Sequence, residues 1–172
     1  MKLTVKEMVT LALLGAIMFI SKLLTEFLPN VHLLAMLIIA YTVVFRVKAI
    51  YAIVVFILLT GAINGFGIWW IPYWYLWPIL WGVTLLLPKK MPTPVAIPVY
   101  MVTAGLHGIL YGTMYAPFQA VAFGLSFDGM VAWIIAGLPW DAVHGVSNFI
   151  VASLCVPVIA GLRRAKNAIN IS

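Results

Sequence analysis

The sequence predicts an all-α integral membrane protein: a single domain over residues 1–172 with six transmembrane helices and both termini cytoplasmic. Three observations predict it. Hydrophobic residues make up 65% of the 172-residue chain and charged residues only 8%, with a mean hydropathy of +1.15, more apolar surface than a soluble domain of this length can hide. A span needs about 20 apolar residues, so the chain has room for roughly six helices and almost no soluble part. The basic residues, which give a formal net charge of +6, stand in short clusters between apolar runs. There they read as topology signals facing a lipid bilayer, and not as a nucleic-acid surface.

Helix 1 is expected over about Val5–Leu24, after Lys2, Lys6 and Glu7. Its apolar run passes Phe19 and Ile20 without a small-residue cleavage site, which marks a span and not a removable leader. Ala12, Gly15 and Ala16 place small residues one turn apart, a spacing that lets another helix approach closely. Lys22 and Glu26 are spaced i, i+4 at the far end, before Pro29 and Asn30 break the helix. Helices 2 (about Val31–Phe45) and 3 (about Ala49–Ile63) are separated by Arg46 and Lys48. Both are short, which implies little tilt or a locally thinned bilayer.

The stretch Gly61–Trp81, GAINGFGIWWIPYWYLWPILW, brings seven tryptophans and tyrosines, Trp69, Trp70, Tyr73, Trp74, Tyr75, Trp77 and Trp81, beside a Gly-Asn-Gly turn and two prolines. Such side chains settle where an apolar phase meets water, or where a flat ligand is gripped at little entropic cost. On a helix starting at Trp70, the residues Trp70, Tyr73, Trp74, Trp77 and Trp81 recur at three- and four-residue steps and share a face. Helix 4 then runs to Leu87 and ends in LPKKMPTP, a polar loop. Helix 5 is expected over about Val95–Tyr115, with His107, Tyr111 and Tyr115 on one face. From Pro117 to Arg164 a continuous helix would measure some 70 Å against a hydrocarbon core of roughly 30 Å. The sequence therefore predicts a break at Gly137, Leu138 and Pro139, with helix 6 running from Pro139 to about Leu162. Residues Pro117–Leu138 become a long outer connection with a short helix near Met130–Ile135, the kind of loop that often acts as a lid.

Orientation follows from counting. Lys2, Lys6, Arg46, Lys48, Lys89, Lys90, Arg163, Arg164 and Lys166 fall on one side and Lys22 alone near the other, which makes the first side cytoplasmic. The aromatic stretch, the Glu26 loop and the Pro117–Leu138 connection then meet outside.

Asp141, His144 and Asn148 are spaced i, i+3, i+7 on one face of helix 6, and His107 on helix 5 reaches toward the same cavity. Ionisable groups within a span usually face a cavity or a partner. His32 is expected at the interface, and Cys155, the only cysteine, excludes an internal disulfide or a cysteine-based zinc motif. An enzyme reading would make Asp141, His144 and His107 an acid/base or metal constellation. The chain has no HExxH and no serine in a Gly-rich turn, so no catalytic residue, metal or cofactor is assigned. It also lacks a GxxxxGKS/T phosphate loop and cannot itself use ATP, and it shows no internal repeat of the kind that builds secondary transporters.

Size, six spans, inside termini, the Ala12-to-Ala16 AxxxA pattern and the sequence GLPWDAVHGVSNF opening helix 6 together resemble the substrate-binding S component of energy-coupling factor (ECF) vitamin transporters, closest to the cobalamin-specific subgroup. The resemblance implies a subunit of the prokaryotic plasma membrane that captures a vitamin from outside, in an outward-facing pocket between the outer halves of helices 4 to 6 and the outer loops, covered by loops 1–2 and 3–4. It also implies a transmembrane coupling (T) subunit, packed on Ala12 and Ala16, and two cytoplasmic ATPase subunits that supply the energy. The expected substrate-binding set is a wall of Trp70, Tyr73, Trp74 and Trp77 facing His107, Tyr111, Asp141, His144 and Asn148. A wide cavity with few polar anchors and little net charge suits bulky, amide-rich cobalamin better than thiamine or biotin. The alternatives are an S component for another planar vitamin (a flavin, a folate or a queuosine precursor) and an intramembrane enzyme using Asp141, His144 and His107.

Overall fold

A computed structural model describes residues 3–170, and no strand occurs among them. The helical segments are α1 (Val5–Thr25), α2 (Leu34–Phe45), α3 (Ala49–Asn64), α4 (Tyr73–Leu86), α5 (Thr93–Ile109), α6 (Tyr111–Phe123), α7 (Phe127–Val151) and α8 (Cys155–Ala168). Four continuous helical stretches are long and apolar enough to cross a membrane: Val5–Thr25, Leu34–Asn64, Thr93–Phe123 and Phe127–Ala168. The second of these folds back on itself, because Arg46 adopts φ 53° and ψ −129° between α2 and α3. Surface side chains are apolar as well: Leu13, Ile17, Val102, Leu106, Val146 and Ile150 are exposed. A surface of this kind is compatible with a membrane protein and unsuited to water.

Helix α2 is the hub, since every residue from Leu34 to Phe45 is buried. A helix apolar on all sides belongs in the middle of a bundle, and α2 packs against α3, α4, α5 and α8. Buried threonines cost little here: Thr42, Thr60 and Thr84 each donate a hydroxyl hydrogen bond to the carbonyl four residues earlier, at 2.6–2.8 Å, which satisfies the group inside its own helix.

The basic residues gather at one end. Lys6 donates to the carbonyl of Ile169 at 3.4 Å, Arg46 to that of Leu85 at 2.7 Å, and the Lys166 ammonium lies 5.6 Å from the Phe45 ring centroid. Lys48 pairs with the buried Glu7, whose side chain also closes a capping box with Thr4. Lys22 pairs with Glu26 at 3.4 Å at the opposite end. The two ends of the described chain therefore lie together, and α1 and α3 leave from this basic end side by side. Lys2 lies outside the described residues.

Two helix pairs approach closely through glycine. A Cβ on Gly15 of α1 would sit 2.6 Å from the carbonyl oxygen of Ala52 on α3, and one on Gly108 of α5 would sit 2.8 Å from both Gly145 Cα and His144 O of α7. Small residues at such crossings let backbones touch. Ala12 is exposed and Ala16 half-buried.

The predicted long outer connection and the predicted helix start at Pro139 are both overturned. Helix α6 continues through Pro117 to Phe123, the turn is only Gly124–Ser126, and α7 runs unbroken through Pro139. Gly124 takes a left-handed φ of 66° and Ser126 caps α7, its hydroxyl accepting from Gly129 N at 3.1 Å. A proline inside a helix forfeits one backbone hydrogen bond. Apolar helices tolerate this where neighbouring groups compensate, so the two prolines were poor stop signals.

Candidate functional site

At the end opposite the basic cluster, the α1–α2 loop packs against the start of α4, the start of α6 and the second half of α7 and lines a partly open cavity of about 210 Å³. The loop is held from below: Asn30 adopts φ 58°, which asparagine tolerates better than most residues, and its carbonyl accepts a 2.8 Å hydrogen bond from Ser147 Oγ of α7. The cavity walls include Lys22, His32, Tyr73, Trp77, Tyr111 and His144. The α4 side chains arrive there because Tyr73 and Trp77 are four residues apart on the inward face.

Five rings enclose this end of the bundle. His32 meets His144 edge-on at 4.7 Å between centroids and Trp77 at 5.8 Å. Tyr111 lies 4.9 Å from His144 and 5.6 Å from Trp77. His107 packs beneath, 5.8 Å from Trp77, and its Nε2 is 3.0 Å from the carbonyl of Leu76. A carbonyl only accepts, so Nε2 carries the proton and Nδ1 is a bare acceptor.

The polar atoms of this region are the most informative feature. Among the described residues, seven buried atoms have no hydrogen-bond partner: His32 Nδ1, Trp77 Nε1, His107 Nδ1, Asp141 Oδ2, His144 Nε2 and both side-chain polar atoms of Asn148. Buried polar groups are nearly always paired, and leaving one without a partner costs about 1–3 kcal/mol. Three of them, His32 Nδ1, Trp77 Nε1 and His144 Nε2, belong to residues at the cavity described above, and a bound polar ligand would offset the cost of leaving them bare.

Of the residues expected to bind substrate, Tyr73, Trp77, Tyr111 and His144 line the cavity. His107 stands one layer behind, with Tyr111 and Tyr115 following on its face. Asp141 and Asn148 are buried where α7 crosses α5 and α6. Asp141 Oδ1 accepts from Gly112 N at 3.1 Å, and the Asn148 amide lies over Gly108. Trp70 and Trp74 do not join the wall: Trp70 Nε1 donates to Ile57 O at 2.8 Å, and Trp74 is 40% exposed with its ring against Trp70. The expected aromatic face is thus split, with Tyr73, Trp77 and Trp81 inward and Trp70 and Trp74 on the stripe beside it. The cavity is also narrow where the sequence suggested a wide one, because the rings that were to line it pack against each other.

His32 is the residue that sequence reasoning misplaced. It was expected at the interface, but the loop carries it inward between Trp77 and His144. Burial holds its pKa down at about 4 against an ordinary 6.5, an effect partly offset by a backbone hydrogen bond and reinforced by His107 and Lys22. The folded state therefore prefers the neutral ring, while the unfolded chain takes up a proton below pH 6.5. The stability tied to neutral His32 is complete above 6.5 and is lost as the pH falls toward 4. We expect thermal melts to show a decline across that window that is shallower in His32→Gln; equal slopes would mean that other groups carry it.

Among the described residues no three or more His, Cys, Asp or Glu side chains are grouped to hold a metal ion. Comparison with protein-family models, with curated proteins and with solved structures finds no match for this chain.

Proposed function

We propose that this chain is the substrate-capturing membrane subunit of an ECF-type, ATP-driven vitamin importer. In this reading α1, α2, α3, α4, the α5–α6 rod and the α7–α8 rod are six transmembrane passes. Both termini and the basic end face the cytoplasm, and the cavity opens outward when the α1–α2 loop lifts. A coupling (T) subunit packs on Ala12 and Ala16, and two cytoplasmic ATPases supply the energy this chain has no motif to harness.

The observation that carries the reading is an aromatic cavity beneath the α1–α2 loop, at the end away from the basic cluster, whose wall holds three buried polar atoms without partners among the described residues: His32 Nδ1, Trp77 Nε1 and His144 Nε2. Aromatic rings grip a planar ligand at low entropic cost, and convergent buried donors and acceptors fix its orientation. At about 210 Å³ the cavity lies below the roughly 300–1,000 Å³ typical of drug-sized sites. A compact planar heterocycle, such as a pterin or a deazapurine base, suits it better than a corrinoid. Cobalamin, suggested by the sequence resemblance, requires the loop to withdraw fully and the ligand to remain half outside.

Calorimetry of the purified protein against a vitamin panel, with mass spectrometry of copurifying small molecules, tests both levels. Saturable binding of one planar vitamin recovered chemically unchanged is the expected result. Tight cobalamin binding would keep the class and replace the compact ligand. Chemical conversion of the ligand, abolished in His144→Ala, would make the enzyme reading correct.

A further inference from the structure

A second cavity lies at the other end. A groove of about 590 Å³ runs between the start of α5 and α8, with Lys89, Lys90 and Arg163 on its rim and Ala96, Val156 and Ile159 on its floor. The chain has only four acidic residues, and none of them lines the groove. Ion pairs among the described residues join Lys22 to Glu26 and Lys48 to Glu7. Lys89, Lys90 and Arg163 have neither an ion pair nor a hydrogen bond among those residues, and all three are exposed.

Tyr100 adds a second observation. Its ring is 4% exposed and packed in the core, yet it lines the groove and its hydroxyl makes no hydrogen bond among the described residues. A tyrosine with a buried ring and a polar tip is what an apolar–polar boundary selects. The prolines on either side, Pro88, Pro92 and Pro94, hold the lysine segment in extended and turn conformations, so the rim is not free to collapse into the groove.

Three like charges around one cavity repel each other and gain from an anion placed between them. The apolar floor separates this groove from a simple anion site. An occupant that is anionic at one end and hydrocarbon at the other satisfies both the cationic rim and the floor of Ala96, Val156 and Ile159. We propose that this groove is a seat for one anionic phospholipid of the cytoplasmic leaflet. The phosphate lies among Lys89, Lys90 and Arg163, the Tyr100 hydroxyl donates to a phosphate or ester oxygen, and an acyl chain follows Ala96 and Val156. Basic pockets between helices on the cytoplasmic side suit such headgroups. This site is independent of the vitamin cavity and stands whether or not the importer reading holds.

Native mass spectrometry of the detergent-purified protein, titrated with phosphatidylglycerol or phosphatidylcholine, tests the proposal. One phosphatidylglycerol should be retained in preference to phosphatidylcholine. Retention should fall roughly fivefold for each rim cation replaced by glutamine, and again in Tyr100→Phe. Arg164→Gln removes the same charge outside the groove and should retain lipid like the parent. Equal retention of the two lipids would overturn the proposal, as would an equal loss in Arg164→Gln. Displacement of the lipid by the same concentration of inorganic phosphate would also overturn it, by showing a plain anion site.

Discussion

Replacing Gly108 by alanine is expected to lower the melting temperature of the detergent-solubilised protein by several degrees. The added Cβ would lie 2.8 Å from Gly145 Cα and from His144 O, and 2.9 Å from Asn148 Nδ2. Two of these three are backbone atoms on the facing helix, so no side-chain rotation relieves the clash and α5 must move away from α7. Overpacking of this kind costs about 1–3 kcal/mol, and each kcal/mol shifts the midpoint by roughly 2–4 °C in a chain of this size. The α5–α7 crossing also carries His144 and Asn148, so the change should weaken ligand capture as well as stability. Gly82→Ala is the control. A Cβ there meets nothing within 4 Å, and alanine is the better helix former by about 1 kcal/mol, so this variant should melt at or above the parent temperature. A Gly108→Ala protein as stable as Gly82→Ala would show that the crossing is looser than its backbone distances imply.

Periodicity made much of this architecture legible. The turn at Arg46, the end of α3 before Gly65 and the i, i+4 aromatic face of His107, Tyr111 and Tyr115 all follow from local patterns, because each depends on residues within a few turns. The prolines misled for an equally physical reason. Pro117 and Pro139 are strong breakers in water, where an unpaired carbonyl competes with helix continuation. In an apolar surround the helix has no better conformation to adopt. The true stop was local and readable: Gly124 at a left-handed position followed by Ser126 and Asp128, a glycine end and a serine start two residues apart. The split of the aromatic stretch was not readable, since Tyr73 and Trp74 are adjacent and only packing against α2 and α3 decides which faces inward. His32 was least legible of all. Its environment is made by residues some forty to over a hundred positions away, and no spacing within the loop reports them.

The second large effect concerns Trp77, and the two obvious substitutions are expected to part company. Its side chain is 1% exposed and touches five rings, those of His32, Phe56, Tyr73, His107 and Tyr111, at 5.6–6.0 Å between centroids. Trp77→Ala removes the floor of the cavity from among rigid neighbours that cannot collapse into the gap, which should cost about 3–5 kcal/mol and lower the melting temperature by roughly ten degrees or more. Trp77→Phe keeps a ring in the same place and deletes the indole N–H, a buried donor without a partner. Relief of that unpaired donor should offset most of the lost packing, leaving a net cost of about 1 kcal/mol or less. Ligand capture should behave differently. If the indole N–H is held ready for a ligand acceptor, Trp77→Phe loses one buried hydrogen bond and binds roughly tenfold more weakly, while its stability without ligand barely changes. Parallel melts with and without the bound vitamin would show this as a smaller ligand-induced rise in the phenylalanine variant. A Trp77→Phe protein that melts as low as Trp77→Ala yet gains the full rise on ligand addition would assign Trp77 to packing alone, and the donor facing the ligand would have to be sought in His32 or His144.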